Sequence, residues 1–251
     1  MEQYYRTIAE THFSEEPNIK IREELAEQFL IRKYLGDSVG YFVEVGANDP
    51  FSLSQTWHLA QVGWSGILVE PIPELCKELR SKRPEAYVVE AACGAPQSPT
   101  TALFTVASDS GKSSLATEFL DKRTIVESRI TVDIRTLDEI LQQQNTTTLD
   151  FVSIDVEGTQ LEVLKGFTLQ KWKPRLLVIE DHLLDTRSHK KIIKQGYKLV
   201  KRTLFNNWYV PDGVEPPETG AQEDKILSGK FRRIPIRRLR YQLRKMLGRG
   251  I

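Results

Sequence analysis

The stretch that most constrains the fold runs from Tyr41 to Asp49, with the sequence YFVEVGAND. Its first five residues favour a β-strand, and the glycine and the Asn-Asp pair after them favour a tight turn. A second apolar run, residues 66–71, ends in Glu-Pro, and the intervening residues 52–62 are predicted to be helical. Strand, glycine turn, helix and acid-ended strand form a βαβ unit. This unit predicts an α/β fold with a Rossmann-like, doubly wound sheet and a ligand at the carboxyl ends of the strands.

The glycine pattern of the first turn indicates which ligand this would be. A dinucleotide fingerprint, G-x-G-x-x-G, requires glycines two and five residues after Gly46, and the chain has neither. Glu44 and Asp49 flank Gly46 and would repel a pyrophosphate, but they suit a ligand with an amino group and a sulfonium. Glu70 would hold two ribose hydroxyls. S-adenosylmethionine has these groups, and the alternative is a glycine turn that binds no ligand.

A third strand is predicted over residues 86–94, and its small residues Ala91 and Ala92 would either border an adenine ring or simply pack. Two further strands, 101–106 and 128–134, flank a loop rich in serine and glycine at residues 108–115. The loop lacks the spacing of a phosphate-binding loop, so we predict a small β insertion whose loop lines the rim of the site.

A second group of acidic residues ends two later strands. Asp155 and Glu157 follow the apolar run 149–154, and alternation would place both carboxylates in the crevice. The strand predicted over residues 174–182 ends in Glu-Asp-His, which would bring His182 beside Asp155. These groups are candidate proton acceptors and candidate ligands for a divalent ion. We predict no metal site, and a divalent ion is the alternative. A purely structural alternative has Glu157 capping the next helix and Asp155 binding backbone amides.

The chain of 251 residues fits one α/β domain with appendages. Lys20–Leu35 has the pattern of an amphipathic helix that covers the sheet, and its apolar face is predicted to hold Ile21, Leu25, Phe29, Leu30 and Tyr34. We predict an N-terminal helical segment at 1–36, the Rossmann-like domain at 37–210, and a linker with a basic amphipathic helix at 211–251. The remaining histidines, His12, His58 and His189, are expected at the surface.

Composition bears on location. No apolar run approaches the roughly 20 residues of a spanning helix, and no secretory signal is visible at the N-terminus. The two cysteines have no metal-binding spacing. These features favour a cytoplasmic protein.

The C-terminal residues 225–251, here called the basic tail, contain ten Lys or Arg and no Asp or Glu. The other 25 basic residues and all 34 acidic residues precede the tail, so the body carries −9. Within Phe231–Ile251, apolar residues recur at helical spacing between arginines. Such a helix binds either an anionic membrane surface or an acidic protein surface, of its own or a partner subunit. The negative body disfavours nucleic acid.

Several short motifs occur in order along the chain: EVGAND at 44–49, Ser54 with Thr56, GWSG at 63–66, VEP at 69–71, SSL at 113–115, TLD at 136–138 and SIDVEG at 153–158. From about Tyr41 to Val210 this order resembles the FkbM family of S-adenosylmethionine-dependent methyltransferases. The resemblance implies a class I methyltransferase fold and O-methylation of hydroxyls of sugars or of polyketide-type products.

By position, the resemblance implies that the residues around Gly46 meet the methionine part, Glu70 the ribose, and Ala91 or Ala92 the adenine. Asp155, Glu157 and His182 are the expected catalytic residues. The expected cofactor-binding residues are Glu44, Gly46, Ala47, Asn48, Asp49, Ser54, Glu70, Pro71, Ala91, Ala92 and Asp155.

We therefore expect an O-methyltransferase of a glycan or glycolipid hydroxyl, with the basic tail at the membrane and a homo-oligomer among its expected assemblies. Methylation of a secondary-metabolite hydroxyl is the first alternative. A non-catalytic adaptor that works through a membrane-binding tail is the second.

Overall fold

The computed structural model describes residues 3–116, 124–184 and 186–246. Its centre is a seven-stranded sheet in the order β3-β2-β1-β7-β8-β10-β9. The first five strands in this order run parallel, and β10 is antiparallel to both of its neighbours. The Rossmann-like prediction is confirmed. The strands of this sheet are β1 Tyr41–Val45, β2 Ser65–Glu70, β3 Ala86–Glu90, β7 Phe151–Ile154, β8 Leu176–Glu180, β9 Tyr197–Thr203 and β10 Asn206–Pro211.

Strand order reverses at β1, which pairs with β2 on one side and with β7 on the other. Chain connections leave the sheet in opposite directions on the two sides of this point, so a crevice opens at the carboxyl ends of β1 and β7. Ala47 and Asp155 follow these two strands into that crevice.

Helices cover both faces of the sheet. Alternation along β1 sends Phe42 into one apolar cluster, with α1, α2 and α4, and Val43 into the other, with α5 and α6. The helices are α1 Tyr4–His12, α2 Ile19–Leu35, α3 Trp57–Ala60, α4 Pro73–Lys82, α5 Leu137–Gln143, α6 Gln160–Lys165, α7 Leu169–Trp172, α8 Arg187–Ile193, α9 Glu223–Arg232 and α10 Ile234–Met246.

The predicted insertion is present as a three-stranded sheet in the order β4-β6-β5, where β4 is Ala92–Cys93, β5 is Thr101–Ala107 and β6 is Val126–Arg135. One continuous strand over residues 86–94 was the wrong expectation. The backbone N–H of Ala91 still donates to the carbonyl of Glu70, but Ala92 pairs with Ile134 of the insertion instead. The chain therefore changes sheets at Ala91, next to the crevice.

The helix predicted over residues 52–62 is also wrong, because only α3 forms there. Leu53 has a positive φ of 60°, and the Asp49 carboxylate accepts hydrogen bonds from the N–H groups of Phe51 and Ser52. A side chain that binds its own backbone two and three residues on favours a turn over a helix.

Helix α2 ends at Leu35 before Gly36, as predicted, and Leu30 is buried on its predicted apolar face. The prediction is wrong at the start of the helix. Ile21 is exposed, whereas Glu23 and Glu27 are buried. The Glu27 carboxylate accepts hydrogen bonds from β9 and β10, so the polar contact decides which face of α2 lies on the sheet.

Helix α10 confirms the helical pattern of the tail as far as Met246; the remainder of the tail, from Leu247, lies outside the described residues. Ile234 is buried, and Arg237 Nη1 donates to the carbonyl of His182 at 3.2 Å. None of the described helices is both long and apolar enough to cross a bilayer.

Candidate functional site

A cavity of about 270 Å³ lies in the crevice at the carboxyl ends of β1, β2, β3 and β7. This volume is near the lower end of the range for small-molecule sites. The insertion closes one side, with Phe104 from β5 and Ser110, Ser113 and Leu115 from the loop after it. The rim position predicted for that loop is confirmed. The predicted site residues that line the cavity are Gly46, Ala47, Asn48, Glu70, Pro71, Ala91, Ala92, Asp155 and Glu157.

The turn after β1 is built on Gly46, which has a φ of +86°. A Cβ at this position would lie 1.8 Å from the carbonyl oxygen of Asp155, closer than any two such atoms can approach. The N–H groups of Gly46 and Ala47 donate to the carbonyl of Val69 at 2.9 and 3.2 Å. Glycine therefore lets the end of β1 pass between β2 and β7, which brings the three strand ends together at the cavity floor.

Glu70 ends β2 inside the cavity wall. One carboxylate oxygen accepts from the N–H of Asn48 and the other from the N–H of Ile72, both at 2.9 Å. These bonds fix the carboxylate and leave each oxygen a further lone pair. Burial raises the pKa of Glu70 to about 7, despite the two backbone donors.

Asn48 adds an acceptor to the same wall. Its backbone has a positive φ of 49°, and within the described part of the chain nothing donates to its buried side-chain oxygen Oδ1. A buried polar atom without a partner marks a place where a bound molecule can supply one.

Glu44 and Ser54 lie behind the cavity wall rather than in it, so the expectation that they contact the ligand directly is wrong. The buried Glu44 carboxylate accepts from Ser54 Oγ at 3.0 Å, from the N–H of Gln55 at 2.7 Å and from the Thr56 hydroxyl. Strand alternation explains the error, because Glu44 points to the face opposite Val45, which does line the cavity. Burial raises the pKa of Glu44.

Arg83, fully buried at the end of α4, completes this support. It donates to the carbonyl of Pro50 at 3.0 Å, to Ser54 Oγ at 3.2 Å and to Thr56 Oγ1 at 3.1 Å. The sequence carried no signal for this role, since an arginine near a helix end ordinarily lies in solvent. Asp49 also lies outside the cavity, in the turn described above.

Carboxylates gather at the cavity wall opposite Glu70. Asp155 follows β7 and Glu180 ends β8, and the parallel register of these strands places the two residues side by side. Asp155 keeps accessible surface because it faces the cavity, although protein surrounds it. Burial raises the pKa of Asp155. Burial and the neighbouring Asp155 raise the pKa values of Glu157 and Glu180.

Glu157 reaches the cavity by a turn and not by strand alternation, because β7 stops at Ile154. Glu157 and Gly158 both have positive φ, 33° and 95°. The Ser114 hydroxyl donates to the carbonyl of Glu157 at 2.7 Å and joins the turn to the insertion loop. Thr159 is the N-cap of α6, so Glu157 does not cap that helix.

His182 does not line the cavity itself, but it stands directly behind the carboxylates. Its Nε2 lies 3.7 Å from Glu180 Oε1, and its side chain is 24% exposed. Burial lowers the pKa of His182. The charge of Asp155 partly offsets this lowering of the His182 pKa.

The prediction that the other three histidines lie at the surface is correct for one of them. His12 is exposed as predicted, but His58 is buried under α2, and burial together with Arg32 lowers its pKa to about 3. His189 is half-buried between Tyr209 and Phe231. The surface prediction for His58 and His189 was wrong because their covering helices are distant in sequence.

Comparison with known proteins places this site in a family. The sequence model of the Methyltransferase FkbM domain matches residues 44–199, which include every cavity-lining residue named above. No curated protein matches the chain.

Solved structures give weaker similarities. A methyltransferase FkbM from Methylobacillus flagellatus KT is 18% identical with a TM-score of 0.42, and the alignment covers 68% of this chain and 43% of that one. The precorrin-6y C5,15-methyltransferase of Geobacter metallireducens GS-15 is 11% identical over 74% of this chain and 85% of its own, with a TM-score of 0.41. The N-terminal domain of human METTL16, solved with SAH, is 12% identical over 75% and 69%, with a TM-score of 0.38.

Proposed function

The chain belongs to the FkbM methyltransferase family, and on that premise we propose that it transfers a methyl group from S-adenosylmethionine to a hydroxyl of a sugar in a glycan or glycolipid. It carries an S-adenosylmethionine-dependent methyltransferase domain over residues 44–199. The cofactor site, the acceptor and the membrane contact are the further parts of the proposal.

The cavity wall fits the cofactor. Glu70, held by two backbone N–H groups, would accept hydrogen bonds from the ribose hydroxyls. The unpartnered oxygen of Asn48 would accept from the amino group of the methionine part. Ala91 and Ala92 leave room for the flat adenine ring. When bound, S-adenosylmethionine supplies a methyl carbon on a sulfonium sulfur, which keeps the carbon–sulfur electron pair and becomes a neutral thioether.

The carboxylates opposite Glu70 are the observation that favours a hydroxyl as the acceptor. A hydroxyl must lose its proton as its oxygen forms the new bond to carbon, and a carboxylate within hydrogen-bonding reach accepts that proton. Asp155 faces the cavity and would be this acceptor, while Glu157 would hold a second hydroxyl of the same sugar. Phe104 and Leu115 would contact the C–H face of the sugar ring. Holding oxygen and methyl carbon in line then supplies much of the rate.

The exposed face of α10 supports the membrane contact. Ile236, Leu239, Leu243 and Met246 are 48–80% exposed and share one side of the helix. Arg240 and Arg244 flank that side. An apolar stripe beside arginines suits the interface of an anionic leaflet, where a glycolipid acceptor would lie and where a cytoplasmic enzyme would meet it.

Calorimetry of S-adenosylmethionine binding tests the proposal, with three variants of the full chain. We expect saturable heat with wild type and with Asp155→Asn, because Asp155 serves the acceptor. Glu70→Ala should lose binding. The matched control is Glu90→Ala, since Glu90 ends β3 beside Glu70 in register but pairs with Arg80 at the surface.

The acceptor is tested next with a panel of glycans, glycolipids and polyketide-type alcohols. Asp155→Asn should bind cofactor and fail to methylate, with a loss of at least about a hundredfold, which is the usual contribution of a positioned base. Cofactor binding without turnover on any hydroxyl would contradict the acceptor proposal and favour the adaptor. No heat with wild type would contradict the proposal as a whole.

A further inference from the structure

Three potential metal ligands converge at the carboxylate wall of the cavity. A carboxylate oxygen of Glu157, a carboxylate oxygen of Glu180 and a ring nitrogen of His182 all lie within 4.8 Å of one another. Glu180 ends β8, whereas Glu157 lies in the turn three residues after β7 and His182 lies two residues after β8. These two strands are neighbours in the sheet, so their ends bring the three residues to one place.

The carboxylate of Glu180 is incompletely partnered. The residue is only 9% exposed, and within the described residues no group donates to its buried oxygen Oε2. Its other oxygen is 3.7 Å from His182 Nε2, which is too far for a good hydrogen bond, although the Glu180 carboxyl shares a hydrogen bond with the Asp155 side chain. A buried carboxylate oxygen without a partner destabilises the fold, because it has lost its hydrogen bonds to water. A bound cation would remove that destabilisation.

Several positive side chains lie near the cluster, and those described here also bind other groups. Lys112 interacts electrostatically with Glu157 and pairs with Asp109 at 2.6 Å. Arg202 donates to Asn207 Oδ1 at 2.6 Å and to the carbonyl of Asp181 at 2.7 Å. Arg237 donates to the carbonyl of His182. Both guanidinium groups moderate the local charge, but neither makes a described ion pair with Glu157 or Glu180. Together with Asp155, the cluster holds three carboxylates.

We propose that Glu157, Glu180 and His182 bind a divalent cation of the Mn²⁺ type at the acceptor end of the cavity. Two carboxylate oxygens suit Mn²⁺ or Mg²⁺, and the imidazole nitrogen favours Mn²⁺ of the two. Three protein ligands leave coordination positions for water and for an acceptor oxygen. A coordinated hydroxyl is more acidic than a free one, so the cation would assist proton loss to Asp155. This assisting role rests on the proposed function, whereas the binding site does not.

The test measures Mn²⁺ binding directly. The full chain is stripped with a chelator, dialysed and titrated with Mn²⁺, and the free ion is followed by electron paramagnetic resonance. We expect one saturable site in wild type. Glu180→Gln and His182→Asn should each weaken Mn²⁺ binding at least about tenfold. Loss of a residue that only hydrogen-bonds to a metal ligand already weakens binding by about tenfold or more, and loss of the ligand itself should weaken it at least as much. Glu162→Gln is the control, because Glu162 is an exposed carboxylate on α6 paired with Lys165.

Glu157 is only half-buried, so Glu157→Gln should fold even if the variants at more buried positions do not. Glu157→Gln should also lower the affinity for Mn²⁺ at least about tenfold. Wild type without saturable binding would overturn the proposal. So would variants that fold, by circular dichroism, and bind Mn²⁺ as wild type does. Heat from S-adenosylmethionine without Mn²⁺ binding would refute the metal site alone. Mn²⁺ binding without that heat would refute only the proposed function.

Discussion

At the scale of single residues, Gly46 shows which part of the structure the local sequence predicts and which part it does not. The sequence indicates a turn at this position, but the reason for glycine is tertiary. A side chain would strike the backbone of Asp155, which follows β7 over a hundred residues further along the chain. Gly213 also has a positive φ, +80°, but no atom lies within 4 Å of the position that its Cβ would take. Substituting each glycine by alanine therefore separates the energetic cost of a positive φ from the cost of the steric clash with Asp155.

We predict that Gly213→Ala lowers the free energy of unfolding by about 1–2 kcal/mol, the cost of a left-handed conformation for an L-residue. Gly46→Ala should lower it by at least about 2 kcal/mol more, because strand β1 or β7 must move. Denaturant unfolding of both variants measures this difference. Equal losses at the two positions would show that the close approach at Gly46 is absent.

Glu70 leads to a prediction about pH. Its ionised form is the better acceptor for two ribose hydroxyls, and its pKa in the free protein is about 7. Affinity for S-adenosylmethionine should therefore increase as pH rises from 6 to 8, with proton release on binding. Calorimetry in buffers of different ionisation enthalpy measures both. Glu70→Gln should bind more weakly and lose this pH dependence; an unchanged dependence would assign the titration to another group.

The same pKa has a consequence for stability in the absence of cofactor. The folded-state pKa of Glu70 is raised from 4.5 to about 7, so its contribution to stability is fully present below pH 4.5 and is lost as pH rises through 7. Glutamine does not titrate, so the free energy of unfolding of Glu70→Gln minus that of wild type should increase as pH rises through this range. The increase should reach up to about 3 kcal/mol. Unfolding curves at pH 4.5 and 8 provide the comparison.

Residue type and spacing were sufficient to predict Gly46, Glu70, Asp155 and Glu157 as cavity residues. They were insufficient where a side chain faces the other side of its strand, as with Glu44. They also failed for Arg83 and His58, which look like surface residues in the sequence but are buried in the structure. Arg83 is buried against the loop that holds Pro50, Ser54 and Thr56. Partners brought together by tertiary packing carry no local signal.

At the scale of elements, most strands follow from their apolar runs, whereas helix orientation does not. Helix α2 was predicted to turn Ile21 toward the sheet, but a polar contact overrides that pattern. Its buried Glu27 accepts from the Thr203 hydroxyl, from Asn206 Nδ2 at 2.9 Å and from Trp208 Nε1 at 3.1 Å. These donors come from β9 and β10, so one carboxylate fastens α2 to the edge of the sheet.

Removing this carboxylate should destabilise the whole domain. Glu27→Ala leaves the buried Thr203 hydroxyl and the Asn206 side-chain amide without this acceptor, while Trp208 Nε1 keeps Thr203 Oγ1 at 2.8 Å. We predict a loss of about 2–4 kcal/mol in the free energy of unfolding. Lys20→Ala, at an exposed position in the first turn of the same helix, is the control and should change stability by less than about 0.5 kcal/mol. Denaturant unfolding measures both. A small effect of Glu27→Ala would mean that α2 is held by its apolar contacts alone.

At the scale of the whole molecule, charge is divided between an acidic body and a basic tail. The ionic attraction between them would favour a tail folded against the body, yet α10 keeps its apolar stripe in solvent. Each basic residue contributes about 1 kcal/mol at an anionic membrane surface, and salt screens this attraction. The sequence predicted the helix and its arginines. Only the structure shows which side of the helix the body leaves uncovered.

We predict that the protein sediments with vesicles containing phosphatidylserine and not with pure phosphatidylcholine vesicles, and that raising salt from 0.1 to about 0.5 M releases it. Leu239→Glu with Leu243→Glu should reduce binding at least about tenfold, because both side chains lie in the exposed stripe. Leu103→Glu, an equally exposed leucine on β5, is the control and should bind as wild type does. If the stripe instead meets a second copy of the chain, the same double variant would change the sedimentation coefficient of the free protein and leave vesicle binding unaffected.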